Sequence, residues 1–200
     1  MTISAAQIKE LREATGAGVL DCRKALEGAG GDMEKATAVL REKGLAIAAK
    51  RADRATLSGV IDIYSHGDGR VGVMVELNCE TDFVARTKEF RTFAHELSLQ
   101  VAANSPSYVR PEDVPAEVLD AERHKARELA LAEGKPEKVM DRIIEGRLEK
   151  FYDERCLVRQ AYIRDDAKKV GDLLQETMAS TGENIVIRRF ARWAVGEEIG

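Results

Sequence analysis

Apolar residues recur three and four positions apart through the first forty-odd residues, and glycines interrupt them. Ser4 can cap a first helix with Gln7 three residues on, and Ile8, Leu11 and Thr15 then share one face before Gly16-Ala17-Gly18 ends it. Cys22, Ala25, Leu26 and Ala29 give a second helix, stopped by Gly28, Gly30 and Gly31. Asp32 opens a third, with Met33, Ala36, Val39 and Leu40 facing inward and Gly44 as its left-handed stop. The pattern predicts a compact three-helix module whose small core needs support from the next segment or from a partner.

Residues 46–59 keep helical character at first and lose it toward Ser58-Gly59, which predicts a linker or swivel. The period then changes to two. Val71, Val73, Val75, Leu77 and Cys79 alternate with Gly72, Met74, Glu76 and Asn78, the pattern of a strand with two distinct faces. Residues 57–65 supply a neighbour, and the HGDG stretch at 66–69 has the composition of a hairpin turn, so the two runs should pair antiparallel. A hairpin alone is barely stable in water and needs a third strand or a covering helix. After Thr81-Asp82-Phe83-Val84 a helix is expected to about Ala103, with Phe90, Phe93, Ala94, Leu97 and Val101 as its stripe. A proline-rich surface connection at 105–115 follows, then helices at about 116–133, 136–154 and 167–181.

The missing strand is NIVIRRFARWAV, residues 184–195. Strict alternation puts Ile185, Ile187, Ala191, Trp193 and Val195 on one face and Val186, Arg188, Phe190, Arg192 and Ala194 on the other, so both faces carry apolar bulk. Such a strand is either covered by helices on one side and a partner on the other, or it is an aggregation hazard. The expected fold class is α+β, an N-terminal three-helix domain at 1–54 followed by a core at 55–200 with a small three-stranded antiparallel sheet packed with helices.

Composition narrows what such a chain can do. Two hundred residues at 44% hydrophobic and 33% charged suit one or two domains with a true core. No run is long and apolar enough for a membrane span, and the N-terminus lacks the basic and apolar regions of a signal peptide, which predicts a cytoplasmic protein. Cys22, Cys79 and Cys156 are odd in number and far apart, unlike a secreted disulfide framework, and read as buried thiols. Residues 1–54 carry ten Lys+Arg against eight Asp+Glu, within a net charge of −4 for the whole chain. Neither part has the basic excess that binding through many phosphate contacts requires, so nucleic acid is a poor direct partner.

Covalent chemistry finds little support in the motifs. GAGGD lies between helices instead of after a strand, no GxSxG or HExxH occurs, and His66, His95 and His124 have no zinc-ligand spacing, so no cofactor or metal is expected. A cysteine hydrolase built on Cys79 or Cys22 with a histidine brought near by folding stays open. So do two readings of TDFV. In one, Asp82 or Thr81 caps the next helix and Phe83 packs back on it; in the other, Phe83 is a probe aimed at a partner. By default Arg12, Arg23 and Lys24 read as solvated helix faces and Val19-Leu20 as ordinary core.

The stretches ELREATGAGVLDCRKALEGAGGDMEKATAVLREKG, VELNCETDFVARTKEF and ENIVIRRFARWAVGE, with GKPEKVMDRIIEGRLEKFYDE between, closely resemble the bacterial elongation factor Ts family. That resemblance implies a guanine-nucleotide exchange factor for elongation factor Tu, without covalent catalysis, and a ubiquitin-associated-like N-terminal domain. It implies that Asp82 and Phe83, flanked by Thr81 and Val84, reach toward the phosphate and magnesium side of the nucleotide; in such a mechanism Asp82 would set the entry of the turn by capping. Arg12, Val19, Leu20 and Arg23 match N-domain positions that meet a helix of the GTPase. Many relatives carry Met at the positions of Val19 and Leu20, Lys at that of Arg23, and Pro at that of Ala161. The chain resembles the family's short form, with one β unit, which implies a non-covalent homodimer through the core sheet. Two readings from other classes remain, a binding module without exchange activity and the cysteine enzyme.

Overall fold

The computed structural model describes residues 3–51 and 53–198, without the side chains of residues 45 and 47–49. Residue 52, inside the expected linker at 46–59, lies outside the described residues. The first three helices are α1 (Ala5–Thr15), α2 (Val19–Gly28) and α3 (Met33–Arg51). Ser4 and Gln7 form the capping box, and Gly16 closes α1 at φ 66°, a left-handed geometry that glycine adopts without steric cost. Leu11, Cys22, Ala25, Leu26, Ala36 and Leu40 make the buried cluster, with Ile3, Ile8, Ala17, Ala29 and Met33 packed on it. Two expectations fail here. Val39 is exposed, and α3 runs through Gly44 to Arg51. A Cβ at Gly44 would stand 3.4 Å from that of Ala179, an ordinary contact distance, and this glycine lies inside the helix instead of stopping it.

Strands β1 (Ser58–His66) and β2 (Val71–Cys79) form the expected hairpin, and β5 (Ile185–Ala194) pairs with β2 to complete a three-stranded antiparallel sheet in the order β1-β2-β5. Gly59 sits where a Cβ would press on the backbone of the neighbouring strand, 2.8 Å from Asn78 Cα. Between β2 and β5 lie α4 (Asp82–Ala85), α5 (Lys88–Asn104), α6 (Ala116–Ala132), α7 (Met140–Arg155), the short strands β3 (Ala161–Tyr162) and β4 (Asp165–Lys169), and α8 (Val170–Thr181). The helix expected after TDFV is therefore two helices, because Thr87 breaks the run and its hydroxyl accepts from Phe90 N at 3.2 Å as a new cap. The β3–β4 pair occupies the start of the region expected as helix from about 167.

The chain divides into two units. The first comprises Met1–Ile63, Met74–Ser98 and Asp172–Arg189. Its three-helix head packs on α8, where a Cβ at Gly16 would lie 3.0 Å from Ser180 Cβ and Arg41 pairs with Asp172. Beneath the sheet segments of this unit, Val75, Leu77, Cys79, Ile185 and Ile187 are buried, as are Phe90, Phe93, Ala94 and Leu97 of α5. Asp62 meets His95 of α5 at 3.3 Å on that covered face. The alternation expected along β5 slips after Ile187. Arg188 and Arg189 are both exposed, and Arg189 donates to Glu76 on the open face at 2.7 Å, while Trp193 and Val195 stand exposed instead of buried.

The second unit comprises Tyr64–Val73, Leu99–Gly171 and Phe190–Gly200. Helices α6 and α7 pack together, with Ala126, Ala130 and Met140 buried. A buried polar link steadies the rest. Gln100 Nε2 donates to Gln160 Oε1 at 3.2 Å and to Ala161 O at 3.0 Å, while its Oε1 accepts from Ile163 N at 2.9 Å. Among the described residues no helix is long and apolar enough to cross a membrane.

Candidate functional site

Helix α4 is a single turn, and an isolated turn is unfavourable because several dihedrals are fixed for one hydrogen bond. Its formation rests on its surroundings. Thr81 is the N-cap, and its hydroxyl accepts from Val84 N at 3.4 Å. The cap is thus Thr81; Asp82, expected to fill that role, instead pairs with Arg86 four residues on at 2.8 Å. Val84 is half-buried and Ala85 is buried, which turns the opposite side of the turn outward. Phe83 stands there 82% exposed. It does not pack back on its own helix, which removes the self-stapling reading.

The same turn is held from both flanks. Cys79 Sγ donates to Thr81 O at 3.1 Å. Glu183, in the bend before β5, accepts from Thr81 N at 3.0 Å and from Thr81 Oγ1 at 2.5 Å. In return Glu80 accepts from Asn184 N at 2.7 Å. Arg54, on the chain leaving the head, lies 3.4 Å from Glu80, and its carbonyl accepts from Asn184 Nδ2 at 2.9 Å. Arg51 donates to Gly182 O. The Asn184 hydrogen bond holds the Glu80 carboxyl below its ordinary value, with the Arg54 charge acting in the same direction. Spacing along the sequence did not reveal Glu80, Glu183, Asn184 or Arg54, because partners about a hundred residues apart meet only on folding.

The four head positions meet in one place. Arg12 of α1 and Val19, Leu20 and Arg23 of α2 line a shallow groove together with Ile8 and Lys9. The ordinary-core reading of Val19 and Leu20 fails, since they are 52% and 70% exposed. Cys22, Ala25 and Leu26 take the inward face of α2, which leaves Leu20 in the first turn directed outward. The groove is an apolar floor rimmed by three cations, suited to an amphipathic helix with acidic flanks.

Cys79 and Cys156 are held in the thiol form. All three cysteines are free and buried. Burial, with the Glu183 charge adding to it, pushes the Cys79 thiol up to about 11, and burial pushes that of Cys156 up to about 11 as well. At neutral pH both stay protonated, and the thiolate is the reactive form. The histidines are engaged elsewhere, His66 with Tyr64, His95 with Asp62 and His124 with Glu128. No group of three or more His, Cys, Asp or Glu able to hold a metal occurs among the described residues.

A family model described as Elongation factor TS matches residues 6–197. The elongation factor Ts of Caldanaerobacter subterraneus subsp. tengcongensis is 60% identical over 197 residues, covering 98% of this chain and 98% of the relative. That of Thermotoga petrophila is 56% identical over 197 residues, 98% of each chain. That of Coprothermobacter proteolyticus is 53% identical over 197 residues, 98% of this chain and 100% of the relative.

Proposed function

The chain belongs to the elongation factor Ts family, and from that premise we infer that it is a guanine-nucleotide exchange factor, which binds elongation factor Tu carrying GDP and promotes GDP release in translation elongation. The observation that carries this reading is Phe83, a large ring kept in water on a one-turn helix braced on both flanks. Leaving a phenylalanine exposed forgoes about 1.5–3 kcal/mol of burial, which insertion into a partner recovers.

The physical logic of exchange is linkage. A factor that binds the nucleotide-free GTPase more tightly than the nucleotide-bound form weakens nucleotide binding by the same ratio. Phe83 wedges between helices of the GTPase near its switch regions and disturbs the coordination of the magnesium ion and the phosphate loop. Loss of that cation removes one of the largest local charges holding the phosphates. Thr81 and Val84 fix the turn, Asp82 adds its charge beside the ring, and Arg12, Val19, Leu20 and Arg23 grip a helix of the GTPase near the base side. No bond in GDP is broken, so the protein acts without covalent catalysis.

In this account residues 1–54 form the GTPase-contacting domain, and residues 55–200 carry the exchange turn and the dimer interface. The homodimer forms through the core sheet. Ile61, Ile63 and Met74, exposed on the face of β1 and β2 away from α5, support that assembly. Such a protein works in the cytoplasm, where translation takes place. The experiment is a chase of fluorescent GDP from elongation factor Tu with substoichiometric amounts of the chain. Accelerated release supports exchange, whereas binding with no change in release makes the protein a binding module.

A further inference from the structure

We propose that Glu183 is a positioning residue for nucleotide exchange, acting through Thr81 to hold Phe83 in its outward pose; this rests on the exchange reading above. A one-turn helix has too few internal hydrogen bonds to fix its own orientation. The carboxylate of Glu183 supplies the missing constraint by accepting both the Thr81 N–H, at 3.0 Å, and the Thr81 hydroxyl, at 2.5 Å. The same hydroxyl oxygen accepts from Val84 N, so the clasp leads directly into the turn on which Phe83 stands. Hydrogen bonds to a charged group are the strong ones, and a carboxylate taking two donors from one residue fixes angle as well as distance.

The contact is also reciprocal. Glu183 holds the backbone of residue 81 while Glu80 holds that of residue 184, at 2.7 Å, so the exchange turn and the entry to β5 each brace the other. Arg54 joins the pair at Glu80, tying in the chain that leaves the head. A ring presented in one pose loses less orientational freedom on insertion than a mobile one, which is how a residue acting through Thr81 can change the rate.

The test is a double-mutant cycle in the fluorescent-GDP chase, run over a range of exchange-factor concentrations to separate half-saturation from maximal release. Glu183→Ala should lower the maximal release rate about 10-fold, the scale of one lost charge-assisted hydrogen bond, with the half-saturating concentration changed less. In the Phe83→Ala background the same substitution should cost under about 2-fold, because the ring it positions is gone. Glu183→Gln, whose amide can still accept the Thr81 N–H, should recover most of the rate. Glu183→Ala at the wild-type rate, or an equal fold-loss in both backgrounds, overturns the proposal, the latter marking a merely structural role. If Glu183→Ala does not fold, Glu183→Met, which keeps the length of the side chain but removes both acceptors of Thr81, takes its place in the cycle, and the wild-type rate or an equal fold-loss in both backgrounds again overturns the proposal. Wild-type exchange by Phe83→Ala alone would instead overturn the exchange mechanism beneath it.

Discussion

Phe83 and Phe90 are the same residue in opposite surroundings, one 82% exposed and the other fully buried in α5. Their substitutions should separate accordingly in chemical denaturation. Phe90→Ala should cost about 3–5 kcal/mol through lost burial and the cavity left behind. Phe83→Ala should stay within about 0.5 kcal/mol of wild type, as for an exposed side chain with no internal partner. A large loss from Phe83→Ala would mean that the ring packs inward in solution. At this scale the sequence was a partial guide. The TDFV stretch was visible as a candidate, but outward and inward poses of Phe83 differ by how Val84 and Ala85 are buried, which one-dimensional spacing does not contain.

Among the elements, the period of the apolar pattern found α2, β2 and α5, each of which buries several residues on one face. It failed where local rules met tertiary packing. Gly44 looked like a stop and instead lies inside α3, facing Ala179 of α8, and β3–β4 is too short and too charged to show alternation. The slip at Arg188–Arg189 follows from two exposed arginines in succession, one of them paired with Glu76. The clasp between the exchange turn and β5 makes an element-scale prediction. Glu80 titrates below its ordinary 4.5 in the folded chain because Asn184 N–H donates to its carboxylate, so the unfolded chain binds more protons as pH drops. Its contribution is fully present above pH 4.5 and is lost as pH falls through the lower folded value. The stability gap between wild type and Glu80→Gln, followed by denaturation from about pH 6 to about pH 3, should therefore narrow. A gap independent of pH would show that the carboxylate charge contributes nothing.

For the whole molecule, the α+β class and the three-stranded sheet were legible. The division into two units runs inside the strands β1, β2 and β5 and the helices α5 and α8, where no break in composition marks it. Assembly belongs to this scale. A homodimer through the sheet should scatter light as two 22.0 kDa chains, and Ile63→Glu, which puts a charge on the exposed β1 face, should shift it to one. A wild-type monomer, or a dimer indifferent to that charge, would contradict assembly through this face. The central claim, that an exposed Phe83 drives nucleotide release, is tested most directly by stopped-flow release of fluorescent GDP from elongation factor Tu, comparing the wild-type chain with Phe83→Ala. Phe83→Ala should still fold and bind the GTPase but release GDP about 10-fold more slowly, a transition-state loss of about 1.4 kcal/mol. Release at the wild-type rate would contradict that claim.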